Sequence, residues 1–150
     1  MKKPSLKIVL SIFVAFVLVQ SLIFKFSNSY ETMHIFNTLG EWSGFAWFGV
    51  YGGYMVGTAE LIATVLLFSR FHNVGALMTV GIITGAIFFH LFTPLGIVMP
   101  EFDGAGNIVG KDGGTLFIMA CLVWLSGMTL LIKGLKSEDP FIAGFGRKGK

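Results

Sequence analysis

The sequence predicts an all-α protein: a four-helix transmembrane bundle with a short interfacial helix between spans 1 and 2, and both termini cytoplasmic. Three observations carry this. Hydrophobic residues make up 54% of the 150 and charged residues only 13%, far from the usage of a soluble domain. Four apolar runs, at about 6–24, 47–68, 74–99 and 115–132, each approach the length that crosses hydrocarbon as a helix. Basic residues lie almost entirely on one side of those runs. Lys2, Lys3, Lys7, Arg70, Lys133, Lys136, Arg147, Lys148 and Lys150 face Lys25 and Lys111 across the membrane, and the positive-inside rule places the richer side in the cytoplasm. The net charge of +3 therefore reflects membrane orientation, and no nucleic-acid partner is needed to explain it.

Residues 1–136 read as one membrane domain. Residues 137–150 read as a basic tail, either disordered or resting on anionic lipid through Phe141, Phe145 and its charges. The spans are expected to be helices because lipid offers the backbone no hydrogen-bond partners and the runs lack the alternation of barrel strands. The start of the chain has the form of a secretory signal, with Met1–Lys7 basic, an apolar stretch, and Ser27-Asn28-Ser29 as a weak cleavage site. Its apolar run is long for such a signal, and removal would leave three spans with the tail on the wrong side, so it is read as a retained span.

Asn28-Ser-Tyr-Glu31 has the form of a capping box, with Asn28 as cap, and starts a short helix expected to end near Gly40. Met33, Phe36, Leu39 and Trp42 recur at near-helical spacing, as in an interfacial anchor, with a lid over a pocket as the alternative. Trp42, Phe45, Trp47, Phe48 and Tyr51 mark the headgroup level. In the second span Gly49, Gly53 and Gly57 form a stripe that lets another helix approach, and Glu60 and Thr64 continue that face. In the third, Gly75, Thr79, Ala86 and His90 share one face while Gly81 and Gly85 form a second small-residue stripe, so this helix is expected to pack on two sides. Asp112-Gly-Gly opens the fourth, with Asp112 as cap.

Ionisable groups in such runs are expensive in hydrocarbon and are functional candidates by default. Glu60 points into the bundle near mid-membrane; a hydrogen bond to a neighbouring helix and a role in proton transfer or ligand binding stand as equal readings. Pro94 has no N–H for the carbonyl of His90, leaving an acceptor beside the imidazole; a helix-bridging hydrogen bond is favoured over ligation. Lys25 ends the first span and either snorkels to the interface or turns inward to Glu60 or His90, with Ser21 one turn below as a polar step. Asp112 lies at a depth where it can pair with Lys25 or His90. Lys25, Glu60, His90 and Asp112 together form the candidate polar intramembrane site, and Gln20, pointing elsewhere, is expected to donate between helices. No metal site is expected, because His34 and His72 fall on opposite sides and Cys121 is the lone cysteine.

Lys25 after an apolar span, His34-Ile-Phe-Asn-Thr-Leu-Gly40, Glu60-Leu-Ile-Ala, Arg70 between spans, Ala86 to His90, and Asp112-Gly-Gly-Thr-Leu-Phe117 together resemble the DoxX-like family of small four-helix membrane proteins, over about Val9 to Ile132. The resemblance implies a four-span bundle with Lys25, Glu60, His90 and Asp112 at family-typical positions. It also implies, for some relatives, thiosulfate oxidation with quinone as acceptor or membership of membrane oxidoreductase complexes. The lone Cys121 departs from any dithiol relay.

Two functional expectations follow. The favoured one is an accessory or scaffold subunit of a membrane assembly, with membrane proteins or further copies of the chain as partners beside the lipid bilayer. The other is a quinone-linked oxidoreductase subunit that binds a lipid-soluble redox molecule at Glu60 and His90; no other cofactor is evident. A transporter is the weakest, since four short spans without a repeat leave little machinery for alternating access.

Overall fold

The computed structural model describes residues 5–136, so the tail at 137–150 lies outside the described residues. Its helices are α1 (Leu6–Phe26), α2 (Tyr30–Ser43), α3 (Ala46–Leu67), α4 (His72–Phe92) and α5 (Thr115–Leu135), with β1 (Pro100–Phe102) and β2 (Ile108–Lys111) between the last two. Four of them, α1, α3, α4 and α5, are long and apolar enough to cross a membrane. They close a ring in which α1 packs on α3 and α5, and α4 packs on the same two. The core at the centre of the ring takes Val14 and Leu18 from α1, Ala63 and Leu67 from α3, Ala76 and Ile83 from α4, and Val123 and Leu130 from α5.

α1 does not reach the top of the bundle. Its last turn, at Leu22 and Phe26, lies against Gly57, halfway down α3. α2 covers the remaining height: Thr32 and Phe36 lie on Gly52 and Gly53, and the backbone of Gly40 meets that of Gly49 so closely that a Cβ on Gly40 would stand 2.9 Å from the Gly49 nitrogen. Asn28, at φ 54, breaks the α1–α2 line. The next residue supplies the cap, because the Ser29 hydroxyl accepts from the Thr32 N–H at 3.2 Å. The hydroxyl of Thr32 in turn donates to the Phe24 carbonyl, one of the last in α1.

These details correct two expectations. Ser29, not Asn28, caps α2, since Asn28 is spent on the left-handed bend that only a few residue types accept readily. Gly40 is not the helix end; it permits the crossing with α3, and Gly44 at φ 78 ends the helix.

The third span also ends early. Thr93 precedes Pro94 and is extended (φ −126, ψ 169), as the proline ring demands, so the apolar residues 93–99 leave the helix. The Thr93 hydroxyl donates back to the Phe89 carbonyl and accepts from the Leu95 N–H, tying off the end. Leu95 and Met99 then pack with Leu39 of α2 and with Phe48 and Phe89, forming a second small core at this end of the bundle.

The prediction of an all-α chain missed the antiparallel hairpin of β1 and β2. Its turn is held by Asp103, whose carboxylate accepts from the N–H groups of Ala105 and Asn107 and from the Asn107 amide. Asp103-Gly-Ala-Gly-Asn107 between two short runs is a turn signal, but the long apolar stretch before it has the pattern of a continuing helix.

Candidate functional site

Lys25 leaves the last turn of α1 and turns inward. Its ammonium donates to Glu60 Oε1 at 3.1 Å, lies 3.0 Å from Oε2 and donates to the Ser21 hydroxyl one turn back. A lysine side chain leans toward the N-terminus of its helix, which is why Ser21 is in reach. The Lys25 side chain is 15% exposed and that of Glu60 5%, so the pair is nearly dry and fastens α1 to the middle of α3. Thr64 continues the Glu60 face with its hydroxyl on the Glu60 carbonyl.

His90 and Asp112 form a second, separate group. The Nδ1 of His90 stands 2.6 Å from the Gly96 carbonyl, just beyond Pro94, and the ring lies edge-on to Phe117. A carbonyl only accepts, so Nδ1 carries the proton, and in the neutral ring Nε2 is the basic nitrogen. Asp112 holds the other side of this loop. Its carboxylate accepts from the N–H groups of Met99, Gly114 and Leu116, and its own N–H donates to the Met99 carbonyl. Burial alone would raise its pKa. The Met99, Gly114 and Leu116 N–H groups and the nearby His90 outweigh burial and hold the carboxyl below the ordinary aspartate range.

Four candidates therefore make two sites. Phe48 and Phe89 touch with ring centroids 6.3 Å apart, so His90 is level with the start of α3. Glu60 comes twelve positions after Phe48, roughly 18 Å deeper at ~1.5 Å per helical residue. A single polar centre holding Glu60, His90, Lys25 and Asp112 together is not present.

No family model, curated protein sequence or solved structure matches this chain. Among the described residues no group of three or more His, Cys, Asp or Glu side chains is placed to hold a metal ion. A quinone head group, only a few ångströms across, does not span the separation between Glu60 and His90, so the two cannot share one. An open groove of about 360 Å³ lies on the hairpin instead, lined by Val98, Pro100, Ile108, Gly110 and Lys111.

The small-residue stripes part company in the same way. Gly49, Gly53 and Gly57 are filled from within, by Asn37 and Phe36, by Thr32 and Phe36, and by Phe26 and Leu22. α4 packs on two neighbours as expected, α3 and α5, but not through its second stripe: a Cβ on Gly81 or Gly85 would meet nothing within 4 Å, so that stripe is open. Gln20 is exposed on the perimeter of α1 and makes no hydrogen bond among the described residues, so it does not bridge helices of this chain.

A buried polar group at the opposite end escaped the sequence reading. His72, 1% exposed, places Nδ1 2.6 Å from the Leu67 carbonyl and so ties α4 to the end of α3, with buried Asn73 beside it in sequence. Its signal was present in Arg70-Phe-His72-Asn73 before an apolar run, where polar residues read as a loop.

The Asp112 tie makes its own prediction. The folded carboxyl has a depressed pKa, so its contribution is complete above the unfolded value of about 3.9 and is lost as pH falls through the lower folded value. On acidification the amide resonances of Met99 and Gly114 should shift together in that range. In Asp112→Asn this coupled titration should vanish, and its persistence would assign the shifts to another group.

Proposed function

We propose that this chain is a small integral membrane protein of DoxX type that serves as an accessory or scaffold subunit of a membrane assembly, with α2 in the outer interface and both termini cytoplasmic in the cell membrane. One observation carries the reading. The polar candidates are turned to internal ties, Lys25 to Glu60, His90 to Gly96 and Asp112 to Met99, while Gly81, Gly85 and Gln20 face outward. In a bilayer, small residues and amides on an outer helix face are the features that hold one helix to another.

The test separates outer from inner faces. Gly81→Leu with Gly85→Leu adds side chains where nothing stands within 4 Å, so the fold is expected to survive. In gentle detergent or nanodiscs the unsubstituted protein is expected to run with a partner or second copy, and the double variant as a lone chain; Gln20→Leu should weaken the association in the same direction. A lone chain in both cases, or equal association in both, would remove the proposal.

A second reading, a quinone-linked oxidoreductase subunit, draws support from His90, whose bonded Nδ1 leaves Nε2 as an oriented proton acceptor beside the Phe117 ring. It confines the redox molecule to the His90 end, away from Glu60. Analysis of lipid extracted from purified protein distinguishes the readings: a stoichiometric quinone, lost in His90→Ala, favours the second.

A further inference from the structure

The loop and hairpin between α4 and α5 carry an apolar surface that the proposed function does not use. Ile97, Val98, Ile108 and Val109 are all exposed, the last two at 67% and 64%. A hairpin in water shows alternation, with one face buried and the other polar. Here β1 and β2 lose register: Glu101 pairs with Gly110 and Phe102 with Ile108, so Val109 is the extra residue of a bulge, and both it and Ile108 are left open.

Part of one face is already used. Phe102 lies against Tyr30 and His34 of α2, with ring centroids 6.2 and 6.0 Å apart. In the chain the exposed hairpin residues stand between span ends that are themselves exposed and apolar, Leu91 and Phe92 at the end of α4 and Leu116 and Ile118 at the start of α5. Paired residues point to the same face, so Pro100 with Lys111 and Ile108 share the Phe102 face; beyond the Phe102 contact that face opens into the groove of about 360 Å³, apolar along Val98, Pro100, Ile108 and Gly110, with Lys111 among its lining residues.

We propose that the hairpin is a membrane-dipping element whose groove seats a phospholipid of the adjoining leaflet, the acyl chain along Val98, Pro100 and Ile108 and the headgroup phosphate on Lys111. The spans on either side are lipid-facing, so lipid is the neighbour that continuity supplies. An aliphatic trough with an ammonium at hand matches a phospholipid's two-part chemistry. Depth is limited by the backbone: the free strand edges need water, so the strands stay at headgroup level while Ile108 and Val109 reach into the acyl boundary. The inference depends on the membrane spans and not on the scaffold reading.

The experiment uses the full chain in vesicles of mixed zwitterionic and anionic phospholipid. A phospholipid carrying a photoreactive group on its acyl chain should label the unsubstituted protein within residues 97–109. In a Cys121→Ala background, spin labels at 108 and at 109 should show oxygen collisions exceeding those with a water-soluble nickel reagent, and a label at Gly104 in the turn should show the reverse. Lys111→Gln should lower anionic phospholipid retained in native mass spectra while leaving the depth order unchanged. Nickel-dominated collisions at both 108 and 109, with no photolabel in the hairpin, would overturn the proposal. So would labels shielded from both reagents and broadened by a second label, since a further copy would then occupy the groove.

Discussion

Glu60→Ala by itself should destabilise the folded protein by about 3–5 kcal/mol, the range for removing one partner of a buried ion pair. Most of that loss is not the missing contact. The Lys25 ammonium, held between α1 and α3 with only Ser21 left as a partner, must either stay largely dehydrated or pull its helix end toward the interface. The double variant Lys25→Met with Glu60→Leu removes both charges and keeps the volume apolar, so most of the stability should return. Reversible unfolding in mixed detergent, measured for Lys25→Met, Glu60→Leu and the double, gives the coupling directly. If the double were as unstable as Glu60→Ala, the pair would have a role beyond fastening α1 to α3. If neither single differed from the parent, the pair would not be a tie at all.

Gly75→Ala is the second large effect, and it needs only one methyl. A Cβ there would stand 2.6 Å from the Leu67 nitrogen, 2.9 Å from the Leu66 carbonyl carbon and 3.0 Å from the Ala63 oxygen. These are backbone atoms of α3, and no side-chain rotation relieves the clash; α4 has to move away from α3 as a body. A loss of about 1–3 kcal/mol is expected, with partial loss of the Leu67–His72 tie one turn before. Gly85→Ala is the control. It meets nothing within 4 Å and trades glycine for a better helix former, so it should be neutral or stabilising by up to about 1 kcal/mol. Equal effects at the two glycines would mean that the α3–α4 crossing is wrongly placed.

Gly75 and Gly85 lie ten positions apart in one apolar run, and their spacing assigns them to different faces without telling which of the two faces is filled. The same limit applies to the charged residues. Lys25 had an outward and an inward future, and the chain alone left both open. The inward one prevails because α1 stops halfway up α3, which puts the ammonium level with Glu60 and out of easy reach of the interface. Asp112 as a loop tie was legible from its place before two glycines and an apolar run. Its separation from Lys25 was not, since that depends on where α1 ends. Pro94 announced its own consequence, but the aliphatic residues around it read as more helix, and the short β1–β2 hairpin lay hidden behind them.

Membrane crossing is decided by the length and apolarity of contiguous residues, so the sequence by itself determined the four apolar spans, their approximate limits except the end of the third, and which ionisable groups would need partners. Pairing is decided by how each helix is rotated and how far it is displaced along its neighbours. Those quantities arise from packing over the whole ring, and only the tertiary structure settled that Glu60 meets Lys25, that His90 stands a dozen residues away in height, and which glycines are filled. A shift of one helical turn would have exchanged these partners without altering a residue.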